Sequence, residues 1–108
     1  MPEYKAGELY LVADEKGYQV AKVLAVEPGI VHIRLYKNAF RERPSEIDLE
    51  KLELGRIDDP DGFGMGHVPL KPETFSGWGP ELFMVGTVQP EELDGYNVWK
   101  GSNGGVWG

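Results

Sequence analysis

The chain has 108 residues, of which 41% are hydrophobic, 18 are acidic and 11 are basic, leaving a net charge of -7. A chain of this length makes one domain able to bury roughly 65% of its unfolded surface, so neither a disulfide nor a metal is needed to hold it. Cysteine is absent, which excludes disulfide scaffolds, thiol nucleophiles and cysteine-ligated metal, and the acidic balance argues against general nucleic-acid binding, which requires a basic surface that releases counterions. No apolar run approaches the ~18 residues of a membrane helix, and the start from Met1 to Lys5 lacks a signal-peptide pattern. The expectation is a soluble, cytoplasmic protein with no membrane association.

Three strands come first. Glu8 to Ala13 is strand-like, Asp14 to Gly17 is a turn, and Tyr18 to Glu27 is a second strand in which Val20, Lys22, Leu24 and Val26 alternate with Ala21, Val23 and Ala25. Both faces of that run are largely apolar, as a central or strongly curved strand requires. Pro28-Gly29 turns the chain into Ile30 to Tyr36, where Val31, Ile33 and Leu35 point one way and His32, Arg34 and Tyr36 the other. Short turns between successive strands make an antiparallel meander. Phe40 to Arg43 reads as a short fourth strand stopped by Pro44. Beyond it Ile47, Leu49, Leu52 and Leu54 would close the core; Asp48 can cap a helical turn through Leu52, and the Ile47/Leu49 alternation fits a strand as well.

The second half has another texture, because most of the 15 glycines and 8 prolines follow residue 54. Gly55 to Gly79 is rich in breakers, Asp58 to Gly66 within it is loop by composition, and Phe63, Met65, Phe75 and Trp78 would pin it. Within it Lys71-Pro72-Glu73 can begin a short helix, with proline at the first helical position. Leu82 to Val88 is a further strand. Gln89-Pro-Glu-Glu then places proline and carboxylates where a helix starts, which predicts a helix over about 90–100 with Leu93, Tyr96 and Trp99 on one face. Gly95 weakens that helix by roughly 1 kcal/mol relative to alanine. The tail from Ser102 is flexible by composition, with Val106 and Trp107 able to tuck back onto the core.

Tyr18-Gln-Val-Ala-Lys-Val23 resembles the second strand of Tudor and agenet domains, and Val31 to Asn38 resembles their strand entering an Asp-Tyr-Gly-Asn turn. The stretch from Ser45 to Leu54 is similar to their closing strand and single helical turn. The resemblance implies a mainly β fold. This would be a small SH3-like (Tudor-like) antiparallel barrel over 4–55, with a loop-rich extension over 56–108 containing one strand and a short helix, the whole forming a single domain. It also implies a ligand face: Tyr18 and Tyr36 as walls of an aromatic cage, Phe40 as a third wall, and Asn38 as a hydrogen-bonding turn residue. Such rings attract a cationic or methylated side chain through their negative faces. Two positions depart from the family pattern, Leu35 replacing its Asp and Lys37 replacing its Gly, and a lysine beside such a cage repels a cation.

Charge is divided unevenly: residues 1–43 sum to +1 and residues 44–108 to -8. Arg34, Lys37, Arg41 and Arg43 form a local basic cluster that can hold a carboxylate or phosphate, or pair with the chain's own Glu46, Asp48 and Glu50. Asp58, Asp59 and Asp61 with His67 are the best metal ligands on offer, but the spacing is not that of a calcium loop and is ordinary turn chemistry. No metal and no cofactor is expected. Ser45, Ser76 and Ser102 lack a nucleophile context, His32 and His67 are the sole neutral-pH bases, and Gly62 to Gly66 lacks the ending of a phosphate loop. Phe63, Phe75, Trp78, Tyr96, Trp99 and Trp107 pack the second half onto the first or offer a contact surface. The reading is therefore a non-enzymatic module that binds a protein or peptide partner through Tyr18, Tyr36, Asn38 and Phe40. One alternative is an acidic, immunity-type inhibitor that meets a basic partner through Asp58, Asp59, Asp61, Glu91, Glu92 and Asp94. A small metal-dependent enzyme is the other.

Overall fold

In the computed structural model, which describes residues 4–14, 17–47, 52, 65–101 and 106, the meander forms as β1 (Glu8–Asp14), β2 (Gly17–Glu27) and β3 (Ile30–Phe40). It is followed by β4 (Met65–Leu70), α1 (Pro72–Gly77), β5 (Glu81–Val85), a 3-10 turn at Pro90–Leu93 and α2 (Asp94–Gly101). The strands make one antiparallel sheet in the order β4-β3-β2-β1-β5. It is not closed: β4 and β5 are its two edges. The β2–β3 hairpin turns on Pro28 and Gly29, and Gly29 has φ 77°, a conformation that costs glycine little and other residues more. Register shifts along β1, β2 and β3 bend the sheet.

One face of the sheet is aliphatic. Tyr10, Ala21, Val23, Val31, Ile33, Leu35, Val68 and Leu70 gather around Phe75 of α1. Phe75 is fully buried, and its ring meets those of Tyr4 and Tyr10 edge-on at 5.0 and 5.7 Å. Burying a phenylalanine this completely contributes about 3 kcal/mol. Tyr4 ties the N-terminal segment to the same helix through a 2.6 Å hydroxyl contact with Ser76.

The opposite face is split. At the β1 and strand-end side Leu9, Leu11, Val20 and Tyr36 form a second apolar cluster with Tyr18, Phe40, Ile47, Leu52, Phe83 and Met84. Toward β4 it carries Lys22, Arg34, His32 and His67 instead, and there the segment from Thr87 to Gly101 lies across it.

Several expectations change. Phe40 ends β3 rather than opening a fourth strand, because an eleven-residue β2 supplies it with a partner as far as Tyr18, and Arg41 to Arg43 continue as a bend and coil. The breaker-rich segment from Gly55 to Gly79 contains β4, which takes up the end of the expected Asp58 to Gly66 loop, so the second half contributes two strands to the sheet rather than one. Val68 pairs with Ile33 and Leu70 with Val31, and Pro69 is tolerated because β4 is an edge. The helix expected over 90–100 begins as the 3-10 turn before becoming α2. Of the Ser45 to Leu54 stretch, residues 45–47 and 52 are not in a strand; the remainder, the Asp58 to Gly64 loop and most of the tail lie outside the described residues. No described helix is long and apolar enough to cross a membrane.

Candidate functional site

The β2–β3 register sets Lys22 directly opposite Arg34. Two like charges facing each other across a sheet repel, so neither strand resolves the pair by itself. The answer comes from the other end of the chain. Gln89 caps the 3-10 turn, and its N–H donates to Glu92 Oε1 at 2.9 Å, which bends the Glu92 side chain back toward the start of the turn. Its carboxylate thereby reaches the sheet and meets Lys22 Nζ at 2.9 and 3.1 Å. Lys22 also donates to the Thr87 carbonyl at 2.6 Å. Arg34 Nη1 lies 3.7 Å from Glu92 Oε2, Arg34 Nη2 donates to the Glu92 carbonyl at 3.4 Å, and the Tyr36 hydroxyl donates to Oε2 at 3.5 Å.

Lys22 is 7% exposed and Glu92 8%, so this is a buried ionic centre, costly to desolvate and held only by its completeness. Burial pushes the Glu92 carboxyl up, but the Gln89 N–H and the Lys22 and Arg34 charges outweigh it and hold the group below the usual carboxylate range. Burial, and then the Glu92 charge, push the Tyr36 phenol up. Among the described residues no buried side-chain nitrogen or oxygen lacks a partner. Beside this centre lies a cavity of about 540 Å³ whose lining combines the polar Lys22, Arg34, Tyr36, Thr87, Gln89 and Glu92 with the apolar Leu9 and Leu52.

A second polar centre sits farther along β3. His32 is fully buried, and one imidazole donates to the other across 2.9 Å between His32 Nδ1 and His67 Nε2. Tyr96 and Trp99 of α2 stand edge-on to His32, each at 4.6 Å. The Tyr96 hydroxyl donates to Glu27 Oε1 at 2.7 Å, and His32 Nε2 lies 3.4 Å from Glu27 Oε2. Burial lowers the pKa of both histidines: His67 falls to about 4, with the His32 charge adding to the effect, and Glu27 partly offsets the shift of His32. α2 comes close enough here that a Cβ at Gly95 would lie 2.7 Å from the Cβ of His67.

Of the residues singled out in the sequence, Tyr18 and Phe40 are direct cross-strand partners and share the second apolar cluster with Tyr36. Tyr36 is 8% exposed, and Asn38 lies half-buried between it and Phe40 along β3. The basic cluster divides. Arg34 turns to Glu92, whereas Arg43 binds Glu81 at 3.0 Å through Nε and covers the Phe83 ring at 5.9 Å. Among the described residues their partners are Glu92 and Glu81; Glu46 is exposed, and Asp48 and Glu50, the other expected partners, lie outside the described residues. Asp58, Asp59 and Asp61 lie outside them as well, and His67 faces His32. Among the described residues no three metal-ligating side chains converge. Glu91 and Asp94 are exposed, while Glu92 is spent inside.

Lys22 is a site residue that none of the sequence motifs singles out, although a lysine inside the apolar Val20 to Leu24 run is its signal. The Gln89-x-x-Glu92 spacing signalled the cap but not its second task. No protein-family model matches the chain, and comparison with curated proteins and with solved structures finds no match to either.

Proposed function

We propose that this chain is a non-enzymatic protein-binding module, built on an SH3-like frame, that holds a carboxylate-bearing segment of a partner on the outer face of β2 and β3. Five bent antiparallel strands with a short helix before the last support the frame that the Tudor resemblance implies. One observation carries the function: Lys22, Arg34 and the Tyr36 hydroxyl converge on a single carboxylate beside a cavity of about 540 Å³. Guanidinium, ammonium and phenol donors at one point select an anion by charge and by hydrogen-bond direction. Their charge opposes the methylated cation that Tyr18, Tyr36, Asn38 and Phe40 would otherwise receive. Against catalysis stand the two imidazoles, which face each other under α2 and do not line the cavity.

A titration followed by amide chemical shifts separates the two ligand classes. A peptide carrying a glutamate is expected to move the amides around Lys22 and Arg34, and Lys22→Met to abolish that movement. Movement around Tyr18, Asn38 and Phe40 with a trimethyl-lysine peptide alone would return the site to the cage reading.

A further inference from the structure

We infer that the segment of residues 87–101 is an internal occupant of the partner's place, and that a partner binds by displacing it with a segment of the same chemistry. That segment bears a carboxylate in the first turn of a helix and an aromatic side chain one or two turns further on. The inference rests on the binding reading above and adds how the site is kept closed.

Its first support is the way the strap is held. Among its described residues Glu92 is the buried one, and α2 buries none. The strap holds on at points, among them the Thr87 carbonyl on Lys22, Glu92 on Lys22 and Arg34, Tyr96 on Glu27, and the Tyr96 and Trp99 rings on His32. Glu92 to Tyr96 is one helical turn and Glu92 to Trp99 two, so one helix side delivers carboxylate and rings together. A partner helix with that spacing would reproduce the contacts that the Glu92, Tyr96 and Trp99 side chains make.

The second support is the face beneath. A sheet surface meant only to be covered would be aliphatic, like the one packed on Phe75. This one presents Lys22, Arg34, His32 and His67, groups whose burial is tolerable only against matching partners. It must always be covered by a carboxylate and rings, whether from the strap or from another chain, and exchanging one for the other preserves its bonds. The third is Gly95, where any side chain would press on His67. Removing or wedging the strap therefore has a defined handle at each anchor. Gly86 marks where exchange would stop, since its N–H donates to the Gly7 carbonyl at 2.8 Å and fixes the chain to the sheet.

A strap closed in about 99 of 100 molecules weakens an incoming segment about a hundredfold, and loosening it returns that factor. The experiment titrates the full chain with a synthetic peptide of the sequence of residues 87–101, and with the same peptide carrying Glu92→Gln as control. In the unaltered protein the α2 amides are expected to move toward coil positions as the glutamate peptide saturates, and the control peptide to do nothing. In the protein, Glu92→Gln weakens the carboxylate anchor, whereas Gly95→Ala favours the helix itself but wedges it off His67, leaving Lys22, Arg34 and Glu92 untouched. Each is expected to bind the glutamate peptide at least about tenfold more tightly than the unaltered chain. Equal affinity in all three proteins, or binding that leaves α2 in place, overturns the inference while the carboxylate site stands. No binding to any of them overturns the site and the inference together.

Discussion

The two faces of the sheet are closed by different physics. Against α1 the closure is Phe75 among aliphatic side chains, where attraction is non-directional and no single bond decides the outcome. On the opposite face the closure is a carboxylate between a lysine and an arginine, with the Tyr96 and Trp99 rings edge-on to the buried His32. The first face stabilises by area and tolerates almost any condition that leaves water excluded. The second stabilises only while each charge keeps its partner, which makes it sensitive to pH and to competing ligands. The aliphatic face is the one that stays; the polar one is built so that its cover can change.

That contrast is broken most forcefully on the aliphatic side. Phe75→Ala is expected to cost about 3–5 kcal/mol in urea unfolding, with the same loss at low and high salt. On the polar side the test is a cycle. Glu92→Leu alone leaves Lys22 buried without its carboxylate and should cost about 3 kcal/mol, whereas Glu92→Leu combined with Lys22→Met should recover most of it, since apolar replacements of a whole buried pair are often neutral. If the double variant is no more stable than Glu92→Leu alone, Lys22 and Glu92 are not a coupled pair.

What the sequence made legible follows the same division. β1, β2 and β3 could be read because alternation and turn glycines act locally, and α1 and the 90–100 helix could be read from proline grammar. β4 could not. Its pattern is two apolar residues, Val68 and Leu70, around a proline, and what makes it a strand is the exposed ladder of β3 more than thirty residues away. Tyr18, Tyr36 and Phe40 come together in one cluster as alternation places them. Lys22 was visible as an anomaly, a lysine inside a strand apolar on both faces, but its partner Glu92 lies 70 residues on, a distance that only the fold closes.

The subtlest difference between the faces is their response to acid. His32 and His67 are packed with Glu27, Tyr96 and Trp99, with Lys100 over the Tyr96 ring, and both have pKa values below 6.5, that of His67 falling to about 4. The unfolded chain therefore takes up protons first. The stability due to neutral imidazoles is complete above about pH 6.5 and drains away as pH falls toward 4. At about 1.4 kcal/mol per unit, His67 sets an upper limit of roughly 3 kcal/mol. Glu92 and Glu27, held below the ordinary carboxylate range, add a separate loss that begins only near pH 4.5 and continues below it. Between about pH 6.5 and pH 4.5 the loss expected from the described residues is that of the histidines. His67→Gln should flatten the stability curve in that window and leave the steeper fall beneath it, whereas Phe75→Ala should lower the whole curve in parallel, because Phe75 packs among apolar side chains and tyrosine rings and touches neither the histidine cluster nor the ionic centre. A wild-type curve that is level from about pH 7 to pH 5 would mean that the imidazoles are hydrated in solution, and that α2 does not rest on them.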